Sequence, residues 1–597
     1  MDAASKTSRN KVRNEVVEDL QTRVTAHLNL IYPDVDCSDL SCRVLDTFWP
    51  DAAAPTSSRN SSSDFWSSRD GVLITYGITI IDGNNPPLAL LLDFLTRHLN
   101  GAIPDVHILP FFPYTSDDGF AVVDYLKVNS ALGDWHHIGK IAGQFGLMGD
   151  LVLNHISSSH EWMVQFMQGK KPGVDYIKHV ESNEDLSAVV RPRAHPLLNQ
   201  VQTANGERNV WCTFSHDQID VDFANPDVLI EFVKIMRFLV DKGMRIIRLD
   251  AVAYIWKAAA SPCIHLPEVH EIVRLMRTLC DHCDEKIILI TETNVPNHEN
   301  LTYFGNRNEA HAIYNFSLPP LLLHTLLSRS SEALNQWLMT MPPAQPGCAY
   351  LNFTASHDGI GLRPIEGLLD EADKLALVEA ITGFGGLLSM RQMNDGQQHP
   401  YEMNIALYDA MQGTVDGPDA FQRNRFICSQ TIMMSLEGIP AFYIHSLLAT
   451  PNDHDGVEAT RQNRSINRAK LDYPSLESDL ANPACDRARV FETLVSRIAL
   501  RALQQAFHPN ATQIVLQLGT ALFGVERLSL DTRQSLISVS NISNTPQQLP
   551  SVSLNLNRAD GWIDLLTGNT YDEAAFHIAL EPYQTVWLTN QPGQVIN

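Results

Sequence analysis

Four short stretches, in fixed order, carry acidic residues, three of them together with an arginine or a histidine: Asp150-Leu-Val-Leu-Asn-His155, Arg248-Leu-Asp250, Thr291-Glu292 and His357-Asp358. One carboxylate that attacks carbon and a second that carries a proton, about 5–5.5 Å apart, are what retaining glycoside cleavage requires. Asp250 is the candidate nucleophile. Arg248, two residues earlier on a period-two strand, faces the same way and can keep Asp250 ionised. Glu292 is the candidate acid and then base, and the apolar run 287–290 before it gives a partly apolar setting that favours its protonated form. Asp358 is the third carboxylate, suited to holding two sugar hydroxyls and straining the ring toward an oxocarbenium-like transition state. His155 and His357 adjoin these motifs and are read as hydrogen-bond partners of sugar hydroxyls. A single Asp at a strand end is more often a helix N-cap, so the ordered set carries the reading.

Each stretch closes a mostly apolar run, at residues 147–153, 245–249, 287–290 and 349–353. His155, Asp250, Glu292 and Asp358 therefore fall at or just past the C-terminal ends of buried strands, the face where a (β/α)8 barrel gathers its chemistry. Further strands are predicted at 72–76, 105–109, 312–316 and 439–443, which makes eight, with helical patterns between most of them. The predicted fold class is α/β: a (β/α)8 TIM barrel with two inserted subdomains and a C-terminal antiparallel β-domain. The barrel would occupy 71–154, 223–358 and 414–504. Two connections are too long for simple loops and are assigned as insertions, 155–222 after strand three and 359–413 after strand seven. Alternating patterns over 512–523, 534–539, 562–564 and 584–588 mark the β-domain at 505–597. Residues 1–70 form an N-terminal helical extension and linker, with Val12, Val16, Leu20, Val24 and Leu28 at helical spacing over 8–31 and a Ser- and Arg-rich loop at 52–68. No internal repeat is visible.

A formal charge of −24 over 597 residues, with no basic face, argues against a nucleic-acid partner. The densest apolar segment, 318–327, is too short for a membrane span and is interrupted by Pro319, Pro320 and His324. The N-terminus (Lys6, Arg9, Lys11, Arg13, then Glu15, Glu18 and Asp19) lacks the apolar core of a signal peptide, so the expected location is the cytoplasm. Nine cysteines form no disulfide framework. Cys280-Asp-His-Cys283 has metal or redox spacing, but no second pair lies near it and it ends a helical pattern; it is read as two ordinary thiols. No metal-ligand cluster is expected.

With these motifs in hand, a family resemblance can be stated. The four stretches resemble the signature regions of the α-amylase superfamily, glycoside hydrolase family 13. Other phrases resemble its sucrose-phosphorylase subfamily: Leu73-Ile-Thr-Tyr76, His107-Ile-Leu-Pro-Phe-Phe112, Asp118-Gly-Phe120, Arg191-Pro-Arg193, Leu318-Pro-Pro-Leu-Leu-Leu-His324, His357-Asp-Gly-Ile-Gly361 and Ile466-Asn-Arg468. The likeness runs from about residue 72 to beyond 468. It implies Asp250, Glu292 and Asp358 as nucleophile, acid/base and transition-state stabiliser. It also implies Asp117 and Arg464 on the far hydroxyls of a terminal glucose, with His155, Arg248 and His357 on the same ring. Phe120 and Phe214 would be apolar walls and Gln218 a further polar contact. Tyr254 and Arg193 would lie near the acceptor subsite, where phosphate or the leaving group binds. No organic cofactor is implied, because phosphate, as co-substrate, attacks a covalent glucosyl-enzyme directly.

Three departures bear on the acceptor. Sucrose phosphorylases have Glu-X-His where this chain has Glu292-Thr-Asn294, and Tyr-Gln where it has Tyr401-Glu402. The loop after Asp358 carries Arg363. These loops resemble the glucosylglycerate phosphorylases of the same subfamily, and Arg363 suits a glycerate carboxylate. Glu402 would oppose that anion unless an arginine pairs with it. The expected activity is reversible phosphorolysis of a small α-glucoside, 2-O-α-glucosylglycerate, to α-glucose 1-phosphate. Sucrose phosphorylase, or a hydrolase or transglucosylase using the same carboxylates, is the alternative. A non-catalytic amylase-fold protein has no need to keep all three acids. The expected assembly is a monomer or homodimer.

Overall fold

The computed structural model describes residues 2–50, 65–181, 184–193, 195–283, 285–392, 398–554, 561–571 and 577–591. The loop expected at 52–68 falls, up to residue 64, outside them. Eight strands close a barrel: β1 (Val72–Thr75), β2 (Asp105–Ile108), β3 (Gly146–Val152), β4 (Met244–Asp250), β5 (Ile288–Thr291), β6 (Ala312–Tyr314), β7 (Ala349–Asn352) and β8 (Ile439–Tyr443). Their order around the barrel, β1-β8-β7-β6-β5-β4-β3-β2, follows the sequence, and the pairs β1/β8, β7/β8, β3/β4, β4/β5 and β5/β6 are parallel. Every residue of β1, β5, β6, β7 and β8 is buried. That is why these strands read as continuous apolar runs rather than alternating ones. All eight expected strands are present, with ends displaced by at most two residues.

The chain gathers into two compact units. The first comprises residues 1–61, 108–293 and 299–313. It opens with helices α1 (Asp2–Ile31) and α2 (Cys37–Phe48). Of the stripe predicted from periodicity, Leu20, Val24 and Leu28 are buried, joined by Ile31; Val16 is only half-buried and the side chain of Val12 lies outside the described residues. His27 on α1 reaches Glu271 (2.9 Å) and Thr278 (3.2 Å) on α4 (Pro267–Asp281). Arg43 on α2 pairs with Asp227 at 2.5 Å, in the first turn of α3 (Pro226–Asp241). The insertion after β3 holds a three-stranded antiparallel sheet of His179–Val180, Gly206–Trp211 and Leu198–Thr203. In addition, His155–Ser157 pairs antiparallel with Gln218–Asp220. Cys280 and Cys283 are buried at the end of α4 and form no disulfide, and burial holds the Cys280 thiol well above its ordinary pKa, which disfavours the thiolate that metal binding or redox exchange needs.

The second unit comprises residues 62–107, 294–298 and 314–597. The apolar stretch 318–327 is a helix, Leu318–Ser328, with Pro in its first turn and every residue from Leu318 to Leu327 buried; a helix apolar all round belongs in a core. Among the described residues no helix is long and apolar enough to cross a membrane. The insertion after β7 builds an antiparallel sheet in the order Ile360–Gly361, Gln398–Asn404, Leu387–Gln392. The C-terminal domain is a six-stranded sheet whose core includes Leu522, Ile537, Val539, Trp562 and Leu588. Its strand pairs are antiparallel. One expectation needs correction here: 512–523 is not one strand but a hairpin of Thr512–Leu516 and Leu522–Leu528. Gly519, at φ +84, supplies the left-handed residue that such a turn requires.

Candidate active site

Asp250 is the last residue of β4, and Arg248 precedes it on the same face. Arg248 Nη1 lies 2.5 Å from Asp250 Oδ1 and 2.5 Å from Asp150 Oδ1. Strand register puts Asp150 of β3 directly opposite Arg248. The guanidinium lies 5.6 Å from the centre of the Phe120 ring, and its Nη2 is 4.0 Å from Glu292 Oε2. Glu292, just past β5, is fixed by a hydrogen bond from the Ala251 amide to its Oε2, 3.2 Å long. Ala251 is left-handed (φ 52), so the chain turns abruptly after Asp250 and aims this amide at Glu292. Three carboxylates thus share one arginine. Burial pushes the Asp250 carboxyl well above the usual carboxylate range; Arg248 pulls it down, while Glu292 and Asp150 push it up. Arg248 thus acts in the direction expected from sequence, but burial outweighs it. Asp150 is a participant that sequence reasoning leaves unassigned. Its signal is an acidic residue inside an otherwise apolar strand.

A second group in the same unit surrounds His155. Gln218 Nε2 lies 3.0 Å from His155 Nε2 and donates to Asp117 Oδ2 at 3.4 Å. Burial lowers the His155 pKa to about 4, so the ring is neutral near neutral pH, a form that can both donate and accept hydrogen bonds. Asp117 and Asp118 are left-handed (φ 53 and 48). The next residue, Gly119, has no room for a Cβ, which would stand 2.5 Å from the Pro110 carbonyl oxygen. This tight turn places Phe120 after Asp117. Phe214 packs on His155 (ring centres 5.2 Å) and, edge-on, on Tyr254 (5.4 Å). Arg193 is half-buried in the inserted segment. A buried ion pair, Lys257 with Asp220 at 2.8 Å, also holds Asn154 beside His155; none of these three stands out in sequence, since their partners lie far along the chain.

The remaining candidates belong to the second unit. Arg464 Nη1 meets Asp358 Oδ1 at 2.5 Å. Its other edge grips Glu402 bidentately, Nε to Oε1 at 2.9 Å and Nη2 to Oε2 at 2.7 Å. His357 is buried, edge-on to Tyr76 (5.8 Å), and its carbonyl accepts from Arg468 Nε at 2.8 Å. Arg468 also lies 5.5 Å from the Tyr76 ring centre. Tyr76 and Arg468 sit inside motif phrases to which sequence reasoning gives no role. Asn294, exposed, lies against Gly361, where a Cβ would approach its side chain to 3.1 Å. Gly361 pairs with Glu402, and the Leu362 amide donates to the Tyr401 carbonyl at 2.9 Å. Arg363, half-buried, opens a 3-10 turn, Arg363–Ile365, anchored by a bond from Ser317 Oγ to the Pro364 carbonyl at 2.9 Å. Asn294, Arg363, Tyr401 and Glu402, singled out for the acceptor, thus lie around the short strand Ile360–Gly361. Among the described residues there is no group of three His, Cys, Asp or Glu side chains arranged to hold a metal ion.

Residues 100–345 match the α-amylase catalytic domain family. The chain is 42% identical to the glucosylglycerate phosphorylase of Spirochaeta thermophila, over 87% of this chain and 90% of that protein. It is 37% identical to the glucosylglycerate phosphorylase of Escherichia coli, over 88% and 92%. Among solved structures, sucrose 6F-phosphate phosphorylase from Thermoanaerobacter thermosaccharolyticum aligns with a TM-score of 0.70 at 24% identity, covering 81% of this chain and 96% of that one, a likeness of fold. The chain belongs to the α-amylase family, in the group of the glucosylglycerate phosphorylases.

Proposed function

We propose that the protein catalyses reversible phosphorolysis of 2-O-α-glucosylglycerate, giving α-glucose 1-phosphate and glycerate by double displacement. The observation that carries this reading is Asp250 and Glu292 on one buried arginine at adjacent strand ends, in a chain 42% identical to a glucosylglycerate phosphorylase. In the first step Asp250 attacks the anomeric carbon while Glu292 gives its proton to the departing glycerate oxygen. The glycosidic bond breaks and a glucosyl ester forms. In the second, a phosphate oxygen attacks the anomeric carbon, Asp250 leaves as carboxylate, and Glu292 recovers a proton from the phosphate. By the family resemblance, Asp358 and His357 would meet ring hydroxyls as positive charge builds on the sugar, and His155, Gln218, Asp117, Phe120 and Phe214 would contact the glucosyl unit. Arg363, with Asn294 and Tyr401 around the same short strand, serves the acceptor. Glycerate and phosphate are both anions, so one cationic subsite serves both half-reactions.

The test is incubation with inorganic phosphate and, separately, glucosylglycerate, sucrose and glucosylglycerol, with measurement of glucose 1-phosphate. Faster turnover of sucrose than of glucosylglycerate at equal concentration would overturn the acceptor. Glucose release at the same rate without phosphate would overturn phosphorolysis and make the protein a hydrolase.

A further inference from the structure

Glu402 stands out because its surroundings are those of an internal strut rather than of a ligand contact. It is 2% exposed. Both carboxylate oxygens are taken by the Nε–Nη2 edge of Arg464, and Oε1 also accepts from the Gly359 amide at 3.2 Å. Gly359 follows Asp358, and it must be glycine: a Cβ there would stand 2.5 Å from Glu402 Cγ. Glu402 therefore reaches Asp358 twice, through the next peptide and through the Nη1 of Arg464, 2.5 Å from Asp358 Oδ1. A planar guanidinium gripped along one edge has no freedom to turn the other. The same residue pairs in register with Gly361, two positions before Arg363.

We propose that Glu402 is a positioning residue: it fixes the Arg464 fork, and through it Asp358, while its strand carries the loop that holds Arg363. The charge of Glu402 is absorbed by Arg464 and does not meet the acceptor anion. This rests on the reading of Asp358 as the transition-state stabiliser. It makes Glu402 a determinant of glucosyl transfer to any acceptor, rather than of acceptor choice.

The test compares Glu402→Gln with the wild-type protein in two reactions: hydrolysis of α-glucosyl fluoride without added acceptor, and synthesis from glucose 1-phosphate and glycerate. Loss of one charge-assisted bond corresponds to roughly a ten- to hundredfold effect. A loss of that size is expected in kcat for both reactions, with the KM for glycerate nearly unchanged. An altered glycerate KM with unchanged fluoride hydrolysis would overturn the proposal, since it would make Glu402 an acceptor contact. A double-mutant cycle with Arg464→Lys separates this from general damage. Lysine cannot form the fork, so Glu402→Gln should cost at most about twofold more in that background. An equal cost in both backgrounds would overturn the proposal. If Glu402→Gln does not fold, Glu402→Asp, which keeps the charge but shortens the reach, takes its place in the same cycle with the same outcomes. Wild-type protein inert toward every glucosyl donor would instead sink the functional reading beneath it.

Discussion

Asp250 and Arg248 set the behaviour of the site at the scale of single residues. A carboxyl that burial holds above its ordinary range accepts its proton at a higher pH, so kcat/KM should fall on the acid side at a pH above the usual carboxylate range. Arg248→Leu removes the one group that opposes burial and should move that acid limb higher still; a limb that stays put or moves down contradicts this account. Asp250→Asn should lower turnover by roughly a thousandfold or more, because no glucosyl ester can form. It should also stabilise the fold near neutral pH. An acid whose folded pKa exceeds its unfolded value costs stability at every pH above the unfolded value, and the cost disappears below it. Melting of the variant should thus show a gain of about 0.5–2 kcal/mol near neutrality, shrinking to nothing in acid, where both states are protonated. Lower stability of Asp250→Asn near neutrality would mean that Arg248, not burial, dominates. The position of Asp250 at a strand end was legible in sequence because an acid closing an apolar run is a local pattern. Asp150 as second partner of Arg248 was not, because β3 and β4 meet only in the fold.

At the scale of elements, the loop after β7 and the N-terminal helices make separable predictions. Arg363 sits in a 3-10 turn tied down by Ser317, so its side chain can be changed without unravelling the loop. Arg363→Ala should reduce kcat/KM for glucosylglycerate by roughly tenfold to over a hundredfold, with α-glucosyl fluoride hydrolysis nearly unaffected. Equal losses in both would remove Arg363 from the acceptor. Helix α1 is long but its inward face is narrow, and Leu28 on it is fully buried. Leu28→Ala should cost about 2–5 kcal/mol of stability and leave kcat/KM at assay temperature unchanged. A variant of full stability would mean that α1 contributes little to its unit. The helix was visible from periodicity, but its docking on α4 through His27 and Glu271 was not, since those residues are 244 positions apart.

For the whole molecule, buried histidines govern acid sensitivity. Burial lowers His155, His160 and His311 to about 4 and His445 to about 3, from an ordinary 6.5. Unfolded chains take up protons on these rings as pH falls through about 6.5, while the folded protein does not until near 4. Stability is therefore lost across that window and is fully present above it. Tm measured from neutrality down to the lower end should decline steadily, and His445→Gln should reduce the decline. A flat profile would mean that these rings are protonated in the folded state.

The sequence by itself determined the eight barrel strands, the order of the three acids along them and the apolar stripe of α1. Each is written in neighbouring residues: an apolar run, its polar terminator, a helical period. The hairpin at Gly519 shows the limit even locally, because alternation alone does not reveal where a strand reverses. Only the tertiary structure decided which charges meet. Whether Glu402 faces an acceptor anion or an arginine depends on Arg464, 62 residues later, and that Arg248 also serves Asp150, 98 residues earlier, depends on β3 lying beside β4. An ion pair is selected by distance in space and by the desolvation that both partners share, and neither quantity exists until the strands that carry them are side by side.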